Sequence, residues 1–205
     1  MQPEDFQQQF DVSHETFAKL QAYHALLLKW QAAINLISPK TIQESWQRHF
    51  ADSAQILPYI SESIKTLVDL GSGAGFPGLV IGIMRPDIEV HLIESDERKA
   101  QFLRTVSRET GAENVTVENA RIEEIEGLKP DLITARALSD LPTLLRYAEI
   151  WATDNPALEM LFLKGQSYAE EIADAQKHFG FDVKDYPSQT ADEGRILFIN
   201  GLKAR

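Results

Sequence analysis

The sequence predicts an α/β fold in which a largely parallel sheet is covered by helices on both faces and preceded by a cap of helices. From Thr66 onward, short apolar runs of strand length alternate with segments of helical period. The first of these runs ends at a loop rich in glycine, as is typical of a buried strand that leads to a ligand. Parallel strands separated by helices need right-handed crossovers, which place helices on both faces of the sheet.

The first 63 residues are interpreted as the helical cap, and residues 64–205 as the sheet domain. Apolar residues follow a helical stripe from about Ser13 to Ala33, with Ser13 as the N-cap, and a second helical pattern runs roughly from Gln43 to Ile60. No linker rich in proline, glycine or serine separates the two parts. We therefore expect one compact unit, with the cap packed on the sheet.

Six apolar runs after the cap are predicted as strands, and four amphipathic segments as the helices between them. The predicted strands are 67–70, 90–93, 115–117, 132–133, 160–163 and 196–199. The predicted helices are 78–84, 97–109, 141–151 and 167–178.

Composition excludes several classes of function. With 31 acidic and 20 basic residues the net charge is −11, so nucleic acid can be bound only through a local basic patch. The absence of cysteine removes disulfides, thiolate metal sites and thiol nucleophiles. The histidines show no metal-ligand spacing, so no metal is expected. Because no signal peptide or membrane-spanning stretch is seen, we expect a cytoplasmic protein without a membrane partner.

The glycine-rich loop indicates a ligand that lies close to the backbone. Its sequence is Leu70-Gly71-Ser72-Gly73-Ala74-Gly75-Phe76-Pro77-Gly78, and Gly71, Gly73 and Gly75 are predicted to contact the ligand. Gly73-x-Gly75-x-x-Gly78 also satisfies the dinucleotide fingerprint, which leaves an NAD-dependent oxidoreductase as one alternative.

Two acidic residues favour S-adenosylmethionine over a dinucleotide. Asp69 lies just inside the end of the first strand, where its charge would repel a pyrophosphate and attract a cationic sulfonium ligand with a free amino group. Glu94 ends the next strand, where a carboxylate can accept hydrogen bonds from a ribose diol. The alternative is structural, because Asp and Glu also cap loop amides and begin helices.

A combination of short motifs resembles one family over nearly the whole chain. The motifs are Ile34-Asn35-Leu36, Arg48-His49-x-x-Asp52-Ser53, the loop from Asp69 to Gly78, Ala135-Arg136-Ala137 and Leu163-Lys164-Gly165. They resemble the bacterial small-subunit ribosomal RNA guanine-N7 methyltransferases, also called glucose-inhibited division protein B. The resemblance implies a Rossmann-like, seven-stranded, S-adenosylmethionine-dependent fold. It also implies, as substrate, one guanine in the decoding-region loop of 16S rRNA, in the small ribosomal subunit or an assembly intermediate; we expect a monomer.

The resemblance also implies cofactor contacts at particular positions. They fall on Gly71 and Phe76 in the loop, on Ile122 and Glu123 after the third strand, and on Arg136 after the fourth. Ile122 and Glu123 occupy the positions that line the adenine site in S-adenosylmethionine-dependent folds of this type. On its own, the acidic segment from Glu123 to Glu126 also fits an ordinary helix start.

The segment after the fourth strand restricts the acceptor chemistry. Methyltransferases that act on exocyclic amines place Asn or Asp, two prolines and an aromatic residue there, whereas this chain has Thr134-Ala135-Arg136-Ala137-Leu138. Guanine N7 already offers an in-plane lone pair, so alignment suffices and no general base is needed. Arg136 is expected to bridge the methionine carboxylate or an RNA phosphate; alternatively it is a surface residue paired with Asp131 or Asp140.

Several residues are predicted to form an RNA-facing rim at the same edge of the sheet. They are Asn35, Arg48, His49, Lys164 and Arg195, and Lys164 is expected to help Arg136 position the substrate. Asn35 alternatively ends its helix in a left-handed turn. Gly194-Arg195-Ile196 departs from the acid-Arg-His that is more usual in the family.

Two further functions stay open at this point. Ribose 2′-O-methylation would use Lys164 with an acid such as Glu193, although Arg136 stands where a central carboxylate would be expected. A non-catalytic adaptor that binds S-adenosylmethionine is the other, because N7 chemistry leaves no obligatory catalytic residue to check.

Overall fold

The computed structural model, which describes residues 1–204, contains one seven-stranded sheet. The strands are β1 (Thr66–Leu70), β2 (Glu89–Ile93), β3 (Val115–Glu118), β4 (Leu132–Arg136), β5 (Glu159–Lys164), β6 (Phe179–Pro187) and β7 (Arg195–Ala204). Their order is β3-β2-β1-β4-β5-β7-β6, with β1 to β5 parallel and β7 antiparallel to both neighbours. The strand order reverses between β1 and β4, and the carboxyl ends of strands at such a point form a crevice for ligands.

Helices cover both faces of the sheet, as predicted. They are α1 (Pro3–Gln9), α2 (His14–Gln31), α3 (Asp52–Ala54), α4 (Gly78–Met84), α5 (Glu97–Thr110), α6 (Leu141–Asp154) and α7 (Tyr168–Ala175). One buried apolar cluster joins the N-terminal helices, α4 and α5 to the sheet, and a second joins α6 and α7 to the opposite face. Burial of both faces explains why the central strands are nearly continuous apolar runs.

The N-terminal helices pack directly on the sheet domain. α2 begins after Ser13, whose hydroxyl accepts the amide of Thr16 at 3.1 Å as an N-cap, and it packs on α4 and α5. The predicted helix 43–60 is wrong as a single element. The segment consists of a π-helical stretch (Trp46–Ala51), α3 and a 3₁₀ turn (Leu57–Tyr59). Pro58 has no amide hydrogen, so an α-helix cannot continue through it unbroken.

All six predicted strands are present, and the seventh, β6, was not among them. After the buried Phe179 its residues are half-buried or exposed because β6 lies at the edge of the sheet, so it lacks the apolar run by which the other strands are found. The predicted helix 167–178 is accordingly shorter and ends at Ala175. Within residues 1–204, none of the helices has the length and apolar character that a membrane span requires.

Candidate active site

A cavity of about 380 Å³ lies at the carboxyl ends of the first four strands. It is lined by the glycine loop, by residues that follow β2 and β3, by Arg136 at the end of β4, and by Ala137 and Leu138 after it. This is the crevice at which open parallel sheets bind ligands. The structure thus places most of the loop, Glu94, Ile122, Glu123 and Arg136 around one space, and their contact with a cofactor stays a prediction.

The glycines of the loop serve two different purposes. Gly71 and Gly73 line the cavity with φ of +60° and +56°, a region that favours glycine, and a Cβ added at Gly73 would meet nothing closer than 3.8 Å. Gly75 does not line the cavity, contrary to its predicted cofactor contact. A Cβ at Gly75 would lie 2.6 Å from the hydroxyl of Tyr23 in α2, so this glycine is required for packing against the protein itself.

The loop contains two backbone amides without an acceptor. Ala74 and Phe76 both line the cavity, and in the described part of the chain neither backbone amide has an acceptor. Free backbone amides at such a turn suit a carboxylate, so this donor set fits the methionine end of S-adenosylmethionine.

Glu94 both supports the loop and faces the cavity. It is 7% exposed, its Oε2 accepts the amide of Gly73 at 2.8 Å, and its Oε1 accepts the amide of Asp96 at 2.8 Å. Each carboxylate oxygen keeps a second acceptor site, so a ribose diol can still bind. Glu94 can therefore accept both backbone amides and bind a ligand at the same time.

Asp69 lies beneath the loop instead of in the cavity, which corrects its predicted contact with the ligand. Its side chain has no exposed surface, lies against Gly78 and accepts the hydroxyl of Thr134 at 2.7 Å. Its other oxygen, Oδ2, has no partner among residues 1–204. Burial raises the pKa of Asp69 to about 6, and the bond from Thr134 opposes that rise.

The segment after β3 forms another wall of the cavity. Ile122 and Glu123 begin a 3₁₀ turn and both line the space. Lys99, Arg121 and Tyr147 also line it and were not predicted. Arg121 is next to the predicted pair and is exposed, so its proximity in sequence was the signal that could have identified it.

Arg136 is held by the N-terminal segment. Its Nη1 donates to the carbonyl of Arg48 at 3.0 Å and to Asp52 Oδ2 at 3.1 Å, and its Nη2 lies 3.0 Å from His49 Nδ1. The alternative pairing with Asp131 or Asp140 is wrong. Because a guanidinium has five N–H groups, these three bonds leave two without an acceptor in the described chain.

His49 is buried and neutral, so it is not an RNA-facing cation. It is 9% exposed, and burial together with Arg136 and Arg48 lowers its pKa to about 3. Since a guanidinium can only donate, His49 Nδ1 must accept from Arg136, and Nε2 then donates to Thr41 at 2.8 Å. Its ring stacks on Phe76 at 5.1 Å, and the guanidinium of Arg136 lies 5.0 Å from the centre of the same ring.

A second cavity, of about 760 Å³, adjoins the first one. Arg136 and Ala137 line both cavities and therefore lie between them. The second cavity is closed on another side by residues 188–195, which connect β6 to β7. Two adjoining spaces with a shared wall suit a cofactor and an acceptor.

The predicted basic rim is only partly free. Arg48 is exposed on the second cavity, and in the described chain its guanidinium has no carboxylate partner. Lys164 instead pairs with Glu171 at 2.5 Å and donates to the carbonyl of Ser139 at 2.7 Å, with 9% of its side chain exposed. Arg195 lies 3.6 Å from Asp185, and its guanidinium is over the ring of Tyr168.

Asn35 lies on the surface and lines neither cavity. The left-handed turn suggested for it is wrong, because among residues 1–204 the non-glycine residues with positive φ are Asp11 and Ala137.

Solved structures with this fold include S-adenosylmethionine-dependent methyltransferases. One from Aquifex aeolicus has a TM-score of 0.58 at 15% identity and covers 80% of this chain and 98% of its own. A putative one from Methanococcus maripaludis has a TM-score of 0.59 at 13% identity, with 78% and 90% covered. This likeness shows the fold, and the methyltransferase class follows from the family model and the relatives of the chain.

The chain belongs to the rRNA small subunit methyltransferase G family, whose model matches residues 16–196. A ribosomal RNA small subunit methyltransferase G from Rhodospirillum centenum is 47% identical over 201 residues, which cover 98% of this chain and 91% of the relative. Another, from Paramagnetospirillum magneticum, is 45% identical over 200 residues, covering 97% and 95%. Membership in this methyltransferase family excludes two of the alternative functions, the NAD-dependent oxidoreductase and the non-catalytic adaptor.

Proposed function

We propose that this chain transfers the methyl group of S-adenosylmethionine to N7 of one guanine in the decoding-region loop of 16S rRNA. Family membership supports the ribosomal RNA substrate. The observation that carries the proposal is the position of Arg136, which lies between two adjoining cavities and keeps two unused N–H groups. One cavity then holds the cofactor and the other the acceptor base.

Methyl transfer to guanine N7 requires the protein to align the methyl group with the N7 lone pair. S-adenosylmethionine supplies an electrophilic methyl group when it is bound, and guanine N7 carries an in-plane lone pair that needs no deprotonation. In this proposal the free amides of Ala74 and Phe76 hold the methionine carboxylate, and Glu94 holds the ribose. Ile122 and Glu123 line the adenine site. The bound cofactor is thereby oriented so that its methyl group faces the second cavity.

Arg136 orients the two ligands without blocking N7. A guanidinium placed at N7 would compete with methylation, so its unused N–H groups are assigned to the methionine carboxylate or to an RNA phosphate. The three bonds to Arg48, His49 and Asp52 fix the direction of those groups before a ligand binds.

The described surface next to the cavities supports a locally basic RNA contact. Arg48 and Arg121 are exposed, one on each cavity, whereas the chain as a whole has a charge of −11. Few phosphate contacts give weak binding to free RNA at physiological salt. We therefore propose that a ribosomal particle or an assembly intermediate is the substrate, bound through shape as well as charge by one copy of this chain in the cytoplasm.

Ribose 2′-O-methylation is less well supported by the geometry. That reaction needs a group that accepts the hydroxyl proton or lowers its pKa. Lys164, the lysine suggested for it, is already neutralised by Glu171 and bonded to the carbonyl of Ser139.

The test is incubation with labelled S-adenosylmethionine and unmethylated 16S rRNA, presented as naked RNA, as assembly intermediates and as small-subunit particles. After digestion, 7-methylguanosine is expected. Arg136→Ala should abolish it, while Arg108→Ala, an exposed arginine of α5, should leave it unchanged. A 2′-O-methylated nucleoside, or no methylated nucleoside in any of the three, would refute the proposal.

A further inference from the structure

Tyr23 connects the N-terminal helices to the glycine loop through a buried hydrogen bond. Tyr23 lies in α2, has no exposed surface, and its hydroxyl donates to the backbone carbonyl of Ala74. Burial raises the pKa of Tyr23 well above its ordinary value, so the hydroxyl keeps its proton and stays a donor. The hydroxyl is therefore a permanent partner of one loop carbonyl.

The ring of Tyr23 is fixed by its aromatic neighbours. It stacks on Phe76 at 5.4 Å with an interplanar angle of 17°, and it meets Phe50 edge-on at 5.1 Å. The position of Gly75 shows how close the loop comes, because a Cβ there would lie 2.6 Å from the Tyr23 hydroxyl. Neither the ring nor the loop can shift independently of the other.

One peptide group of the loop is held at both ends. The carbonyl of Ala74 accepts from Tyr23, while the amide of Gly75 in the same peptide group donates to the carbonyl of Ser72 at 2.7 Å. The amides on either side of this peptide group, those of Ala74 and Phe76, have no acceptor in the described chain, and both residues line the cavity. Rotation of the fixed peptide would redirect both of them.

We propose that Tyr23 is a positioning residue for the cofactor. Its hydroxyl holds the Ala74 carbonyl toward the core, so that this oxygen does not face the methionine carboxylate and the neighbouring amides do. The N-terminal helices thereby become part of the cofactor site although Tyr23 itself does not line the cavity. The inference rests on the cofactor and not on the identity of the RNA acceptor.

The experiment is Tyr23→Phe, which removes the hydroxyl and keeps the ring packing. Its matched control is Thr110→Val at the end of α5. Thr110 is 4% exposed, and its hydroxyl donates to the carbonyl of Val106 at 2.7 Å, away from the cavity. We expect the Kd of S-adenosylhomocysteine, measured by calorimetry, to rise about tenfold in Tyr23→Phe. The KM for S-adenosylmethionine should rise in parallel, while kcat at saturating cofactor changes less than about twofold. Thr110→Val should leave the Kd and the KM unchanged.

Hydrogen exchange gives a second measurement that does not depend on activity. Peptides covering residues 71–78 should exchange faster in Tyr23→Phe than in the wild type and regain protection with S-adenosylhomocysteine, but should exchange normally in Thr110→Val. If both variants lose similar Tm and neither changes the Kd or the exchange of the loop, Tyr23 is only structural and the inference is wrong. Failure of the wild type to bind S-adenosylhomocysteine would instead contradict the cofactor assignment.

Discussion

The guanidinium of Arg136 donates to Oδ2 of Asp52 at 3.1 Å, which joins the end of β4 to the N-terminal segment. The other oxygen of the same carboxylate accepts the hydroxyl of Thr190 at 2.5 Å. The Asp52 side chain therefore holds both Arg136, which lies between the two cavities, and the loop that closes the second cavity. Asp52 contributes to the site by fixing these two groups.

Replacement of Asp52 by Asn should reduce methyl transfer more than cofactor binding. The amide keeps the shape but removes the negative charge that holds Arg136, so the guanidinium becomes mobile. We expect kcat to fall about tenfold or more, with the Kd of S-adenosylhomocysteine within about threefold of the wild type. Asp87→Asn is the control, because Asp87 pairs with Arg85 on the surface before β2. A normal kcat in Asp52→Asn would show that this ion pair does not position Arg136.

Residues at the ends of predicted strands were the part of the site that local sequence could indicate. Glu94 and Arg136 line the cavity because parallel strands end at one edge, and this follows from the alternating pattern itself. The pattern does not determine which side of a strand end faces the ligand. Asp69 was therefore placed correctly along the chain, but its side chain points beneath the loop.

Contacts between distant segments were beyond the sequence. Asp52 and Arg136 are 84 positions apart, and Tyr23 and Ala74 are 51 apart, so no local period relates them. Lys164 and Glu171 are close in sequence, but their pairing depends on how the chain turns from β5 into α7, which no periodicity reveals. An edge strand such as β6 is missed for another reason, because it does not produce the apolar run of a buried strand.

Lys164 should matter more for stability than for RNA binding. Its ammonium group neutralises Glu171, whose carboxylate also accepts the amide of Leu141 at the start of α6. Lys164→Met would leave this largely buried carboxylate without its cation, so urea unfolding should show a loss of about 1–3 kcal/mol in the free energy of unfolding. The Kd of S-adenosylhomocysteine should not change.

Lys177→Met provides the comparison for Lys164, since Lys177 forms an exposed pair with Asp174 at 2.9 Å. Such a pair contributes little, and its loss should change the free energy of unfolding by less than about 0.5 kcal/mol. If Lys164→Met were as stable as the wild type but failed to methylate RNA, Lys164 would contact the substrate, as the sequence suggested.

Ala137 is held in a backbone conformation that suits glycine. Its φ is +53°, directly after Arg136, and a residue with a Cβ is disfavoured there by about 1 kcal/mol. Ala137→Gly relieves this strain but gives the unfolded chain more freedom, so the two effects nearly cancel and the Tm should change by less than about 3 °C. Ala137→Val, with a branched Cβ in the same conformation, should lower the Tm by more than about 4 °C and reduce methyl transfer. Equal Tm values for the two variants would show that this φ does not strain the chain.

The carboxyl of Asp69 should make stability fall between about pH 4 and pH 6. Its folded pKa is raised to about 6 because the group is fully buried, so over this interval the folded chain holds a proton that the unfolded chain has lost. Stability falls wherever the unfolded state binds fewer protons, and a difference of about two units corresponds to about 3 kcal/mol once Asp69 is ionised. Asp69→Asn cannot titrate. Urea unfolding of both proteins should therefore show that the free energy of unfolding of Asp69→Asn rises relative to that of the wild type as the pH increases from 4 to 7.

Asp140→Asn should show the opposite trend, which makes it a control for general effects of pH. Hydrogen bonds from Thr143 at the start of α6 lower the pKa of Asp140, so its contribution is present above the unfolded pKa and is lost as the pH falls. Because this change lies mostly below about pH 4, the stability of Asp140→Asn relative to the wild type should fall as the pH rises to about 4 and stay nearly constant from pH 5 to pH 7. If the Asp69→Asn difference stayed constant from pH 4 to pH 7, Asp69 would have an ordinary pKa, and its buried Oδ2 would need a partner that compensates for burial.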